Sequence, residues 1–120
     1  MNDRELLEAA AKAAGIVLLR APDGSMRNCT GLRPEHNILA APFWNPLTDD
    51  GDALRLACGL RINIEHVRTM AGVDAGVNAW PSGRGDCGLT VKGDDAAACT
   101  RRAIVRAAAA LGGATGAGGE

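Results

Sequence analysis

Thr48-Asp49-Asp50-Gly51-Asp52-Ala53-Leu54-Arg55-Leu56-Ala57-Cys58-Gly59-Leu60-Arg61-Ile62-Asn63-Ile64-Glu65-His66 decides the fold, because its hydrophobic period changes partway along. In the first half, Ala53, Leu56, Ala57 and Leu60 recur at helical spacing and define one apolar face. Thr48 reads as the N-cap. Asp49, Asp50 and Asp52 then fall in the first turn, where exposed backbone N–H groups and the helix dipole favour negative charge. Gly59 reads as the stop. Beyond it Leu60, Ile62, Ile64 and His66 alternate with Arg61, Asn63 and Glu65, the period-2 signature of a half-buried strand.

Downstream, residues 69–76 read as a Gly-containing connection and Val77 to Trp80 as a second strand, stopped by Pro81. Ser82-Gly83-Arg84-Gly85 is a link. Cys87, Leu89 and Val91 alternate with Gly88, Thr90 and Lys92 as a third strand. Asp94 reads as the cap of a last helix with a buried stripe of Ala97, Ile104, Ala108 and Leu111; Arg101, Arg102 and Arg106 lie outside it. Upstream, Asn2 and Glu5 suggest a capping box, Leu6, Ala10 and Ala13 share a face, and Gly15 closes the helix. Ile16 to Leu19 reads as a strand, Pro22 to Ser25 as a turn and Met26 to Thr30 as the returning arm of a hairpin. Residues 31–48, broken by Pro34, Pro42 and Pro46, read as irregular.

Links this short between strands favour an antiparallel meander, because parallel neighbours need long crossovers. The expected fold is α+β: an N-terminal helix and hairpin, then helix, three-stranded antiparallel meander and helix, in a two-layer sandwich. A single domain over residues 1–112 and a flexible Gly/Ala tail over 113–120 follow.

The 120 residues include one Phe, two Trp and no Tyr, so Ala, Leu, Ile and Val must build the core. A net charge of −1 argues against a protein that coats DNA, which needs clustered positive charge. Cys29, Cys58, Cys87 and Cys99 form no CxxC pair, and the N-terminal residues lack a secretory pattern. Reduced, buried thiols in a cytoplasmic protein are expected. No apolar run approaches the length of a membrane span, so no membrane association is expected.

Three constellations could carry chemistry. Asn45, Thr48, Asp49, Asp50 and Asp52 offer oxygen ligands, but their spacing is not that of a calcium loop and helix capping accounts for the acids; neither metal nor cofactor is expected. Gly83-Arg84-Gly85-Asp86-Cys87-Gly88 spells GxGxxG, but a strand rather than a helix follows, so the dinucleotide reading fails. Trp44, Trp80 and Arg84 could hold a nucleobase and its phosphate, against the simpler reading that the indoles fill the core. His36 and His66 have no nucleophile motif beside them, so the chain is not expected to be an enzyme. The helix–three-strand–helix order also matches double-stranded-RNA-binding domains, with Arg101, Arg102 and Arg106 as the contacts. Asp94 and Asp95 would repel phosphate at the helix start, so nucleic acid is an unfavoured partner.

The block from Trp44 to Ala57, with Ala98-Cys99-Thr100-Arg101-Arg102-Ala103-Ile104-Val105-Arg106-Ala107-Ala108, resembles small phage and prophage proteins of the phage ABA sandwich domain group. The resemblance spans roughly residues 43–111, with Cys58 and short loops around 69–86 departing from it. It implies a phage accessory protein with helices on both sheet faces, whereas the strand alternation implies helices on one. It transfers no catalytic residue. The expected function is therefore binding of a host protein in the bacterial cytoplasm, in host takeover or anti-defence, or self-association. Residues 34–47 and 80–86 are the expected contact surfaces. Nucleotide sequestration and nucleic-acid binding are the alternatives.

Overall fold

The computed structural model describes residues 2–67, 76–82, 90–93 and 95–112. The connection over 69–75, the GxGxxG stretch with Arg84, the Cys87 and Leu89 part of the third strand, Asp94 and the Gly/Ala tail lie outside the described residues.

Helix α1 (Asp3–Ala14) starts as its sequence dictates. The Asn2 side chain accepts from the Glu5 N–H, the Glu5 carboxylate accepts from the Asn2 N–H, and Gly15 closes the helix in the left-handed conformation. A hairpin follows, β1 (Leu18–Arg20) pairing antiparallel with β2 (Met26–Asn28). The apolar run Ile16–Leu19 is not buried throughout, as a continuous strand reading implies: Ile16 and Leu18 pack against the core while Val17 and Leu19 are exposed. Only one face of the hairpin meets the helices, so burial follows the period of the strand rather than the length of the apolar run.

The segment to residue 48 is irregular apart from a short 3₁₀ turn at Ile38–Ala40. Helix α2 (Asp50–Leu60) is capped by Asp49, whose carboxylate accepts from the Asp52 N–H at 2.8 Å, and not by Thr48. Asn45 explains the shift. Its side chain accepts from the Leu47 N–H and its carbonyl from the Thr48 and Asp49 N–H groups, a tight turn that delays the helix by one residue. Gly59 does not end the helix either. Arg61 does, at φ 53°, because the chain must turn there to bring Ile62 onto the sheet.

Strands β3 (Ile62–Val67), β4 (Gly76–Pro81) and β5 (Thr90–Lys92) form the expected antiparallel meander in the order β3-β4-β5. The register sets Ile62, Ile64 and His66 opposite Pro81, Ala79 and Val77, and Val77 opposite Val91, so one face is apolar. Asn63 and Glu65, opposite Trp80 and Asn78, occupy the other. Helix α3 (Ala96–Leu111) packs on the apolar face, with α1 and α2 against it. The described elements form an α+β sandwich of two layers with helices on one side, as the alternation of β3 predicts.

Asp95 caps α3 by accepting from the Ala98 N–H at 3.0 Å. Its buried surface is broader than the predicted stripe, comprising Cys99, Ala103, Ile104, Val105, Ala107, Ala108 and Ala109, while Ala97 is exposed and Leu111 half-buried. The breadth follows from position: α3 touches α1, α2 and all three strands. Alanines on α1 and α3 let those helices approach closely. A Cβ at Gly112 would collide with the Ala9 carbonyl oxygen. Close approach gains dispersion contacts for side chains that individually bury little area.

Candidate functional site

The site grows from one buried cation. Arg27, mid-strand in β2, has its guanidinium turned inward. Its Nε donates to Ser25 Oγ at 2.8 Å, its Nη1 to the carbonyls of Ala41 at 2.9 Å and Leu39 at 3.3 Å, and its Nη2 to Asp23 at 3.1 Å. This fork binds the proline-broken segment to the hairpin. The bridge between Arg27 and Phe43, with Asn28 N–H donating to Pro42 and Trp44 N–H to Met26, lays residues 42–44 along β2.

Phe43 is thereby fixed with its ring over the Arg27 guanidinium, 3.8 Å from centroid to Cζ, while 65% of the residue stays exposed. The next residue, Trp44, points the other way and is buried in the core with Leu56 and Ala57. The pair forms a wall with a cleft on either side. One cleft, of about 740 Å³, opens between the hairpin turn at Gly24–Met26 and the start of α2 at Thr48–Asp49. The other, of about 430 Å³, runs between Ile16, Pro42, Leu56 and Leu60. Phe43, Trp44, Asp52 and Arg55 line both.

Asp52 is buried and accepts from the Asn45 N–H at 2.9 Å and from Arg55 at 2.7 Å. Arg55 is 74% exposed and also lies 3.9 Å from Asp49. Two carboxylates against one guanidinium leave this rim negative. At the hairpin turn Asp23 is held below the ordinary carboxylate range, first by the hydroxyl and backbone N–H of Ser25 and then by Arg27.

The three acids of the α2 start do not converge. Asp49 caps, Asp52 takes Asn45 and Arg55, and Asp50 pairs with Arg101 at 2.6 Å. Among the described residues no group of three or more His, Cys, Asp or Glu side chains comes together as a metal site. Cys29 and Cys99 are buried, but Cys58 is exposed on the outer side of α2 and departs from the expectation of buried thiols.

The other candidate residues are dispersed. Trp80 is half-buried and shares the helix-free sheet face with Asn63, so it does not meet Trp44. Arg84 lies outside the described residues. Arg101 is not an outward residue: its side chain is 19% exposed, with Nε donating to the Leu47 carbonyl and Nη1 to Asp50. Arg102 pairs with Asp3 of α1 at 2.9 Å, and Arg106 is half-buried. Two of the three arginines thus join helices. His36 and His66 are both exposed.

Sequence reasoning missed Arg27, Phe43 and Arg55. One signal was present: Asp23 stands in a turn, where an Asp side chain accepts from the backbone two residues on, and Arg27 follows within reach of it. No family model, curated protein or solved structure matches the chain. None of the helices among the described residues is long and apolar enough to cross a membrane.

Proposed function

We propose that this is a non-enzymatic binding protein of the phage or prophage accessory kind, acting in the bacterial cytoplasm. It takes a host protein at the Phe43 wall, in host takeover or anti-defence. The observation carrying this reading is an aromatic ring left 65% exposed yet immobilised on Arg27. Aromatic side chains with few conformations left to lose are the usual energetic centres of protein interfaces. The clefts on either side supply pockets for partner side chains. With Asp49 and Asp52 outnumbering Arg55, the wall suits a partner segment bearing lysine or arginine beside an apolar residue. Phe43 and Trp44 fall within the 34–47 segment expected to make contacts, while Asp49, Asp52 and Arg55 lie beyond it.

A nucleotide is a poor occupant of this groove, since the carboxylates oppose phosphate; of its expected contacts Trp44 lines the groove, but Trp80 belongs to the helix-free sheet face. Nucleic-acid binding through Arg101 and Arg102 would require breaking their pairs with Asp50 and Asp3.

The test is capture of a host protein by a chain carrying a photocrosslinker at Thr48, an exposed residue on the rim of the larger cleft, compared with its Phe43→Ala form. The wild type is expected to capture one specific bacterial protein, and the variant, folded by circular dichroism, to lose at least about tenfold of it. Equal capture by both forms would refute the Phe43 site.

A further inference from the structure

Strand β3 is an outer strand of the sheet, so one edge of its backbone has no strand partner among the described residues. Sheets normally blunt such edges with proline, short length or a bulge. Here the edge is six residues long, Ile62–Val67, with no proline and an unbroken register to β4. Its helix side is also incompletely covered. Leu54 is 62% and Ile64 37% exposed, and with His66 and Ala97 they border an open cleft of about 310 Å³.

We propose that β3 pairs antiparallel with the β3 of a second copy, about a two-fold axis through Ile64, joining the two sheets into one of six strands. The occupant follows from the side-chain register. In a two-fold antiparallel pair, residues facing each other must lie on the same sheet face, so the axis passes through a residue. Centred on Ile64, the pairing sets Ile64 against its twin, Ile62 against His66, and Asn63 against Glu65. Five residues of each strand take part.

Charge and hydrogen bonding fit. Glu65 accepts one hydrogen bond from Asn78, and Asn63 donates one to Ser82, which leaves a carboxylate oxygen and an amide hydrogen free to meet across the axis. The exposed Arg61 of each copy stands diagonal to Glu65 of the other, within reach of a long side chain. Centring on Glu65 would instead oppose two carboxylates. Centring on Asn63 would use three strand residues, because the left-handed Arg61 ends the ladder. On the helix side the two Ile64 side chains and the Leu54 side chains beside them form one apolar seam.

Residue 64 facing itself makes the proposal sharply testable by sedimentation velocity on the full chain over a concentration series. Wild type is expected to shift from monomer to dimer as loading rises. Ile64→Lys and Ile64→Glu, each placing like charges across the axis, are expected to stay monomeric alone and to form a dimer when mixed. The mixture also shows that both variants are folded. A wild type that stays monomeric up to its solubility limit, variants that still dimerise alone, or a mixture that fails to associate would each overturn the proposal.

Discussion

The helical layer and the hairpin are held by opposite means. Where α1 and α3 cross, small side chains do the packing: Ala10, Val105 and Ala108 are fully buried, and Gly112 sits where even a methyl group would strike Ala9. At that crossing the polar contacts among the described residues lie at the margins, as the Asn2–Glu5 capping box and the Arg102–Asp3 pair. Around the hairpin the relation is inverted. A single charged side chain is the centre, and what it organises is backbone carbonyls and an aromatic face. A sequence this poor in large apolar residues can stabilise regular elements by close approach, because helices and strands satisfy their own backbone. An irregular segment cannot, and it needs a donor-rich group to do so. The second solution also leaves Phe43 outside, which is why the candidate interface is found there.

Trp44 belongs to both regions, its indole in the core and its backbone N–H on the Met26 carbonyl of the hairpin. Trp44→Ala should therefore give the largest loss, about 3–5 kcal/mol by the usual cost of removing a buried indole, read from the urea midpoint. Arg27→Met separates the two regions. It keeps the aliphatic volume but strands the Leu39 and Ala41 carbonyls, for a loss of about 1–3 kcal/mol. Hydrogen exchange should accelerate at Asn28, Ala41 and Trp44 while the amides of α1 and α3 keep their protection. If α3 loosened equally, the two regions would be one cooperative unit.

The same contrast decides what could be read in advance. The capping box at Asn2 and Glu5 and the alternation from Ile62 to His66 are local rules with local causes, so they appear in the structure as the sequence implies. Boundaries fixed by neighbours were less legible. Asn45 moves the α2 cap to Asp49, and the turn onto the sheet places the helix end at Arg61 instead of Gly59. Of the candidate site, Trp44 was legible as an indole but not as one side of a wall, since its burial depends on α2 arriving beside it. Arg27 and Arg101 were hidden because a charged residue reads as solvent-facing. Only carbonyls brought from 12 to 54 residues away reveal them as buried anchors.

Two smaller changes sharpen the comparison from each side. In the helical layer, Asp95→Ala removes the acceptor for the Ala98 N–H and should cost about 1 kcal/mol in thermal or urea unfolding, with exchange rising only in the first turn of α3. In the hairpin, acid should act through Asp23. Its carboxyl titrates below the ordinary 3.8 when folded, because Ser25 and then Arg27 stabilise its charged form. A folded value below the unfolded one means that this stabilisation is complete above pH 3.8 and fades as pH falls through the folded value. Fully exposed acids give small effects, so the readout should be local. Carboxyl NMR should show Asp23 titrating below the other exposed aspartates, and Arg27→Met should move it back toward them only in part, since Ser25 is the larger cause. A return all the way to 3.8 would mean that Arg27, not the serine, holds the turn, and that the hairpin depends on its one cation even more than its hydrogen bonds indicate.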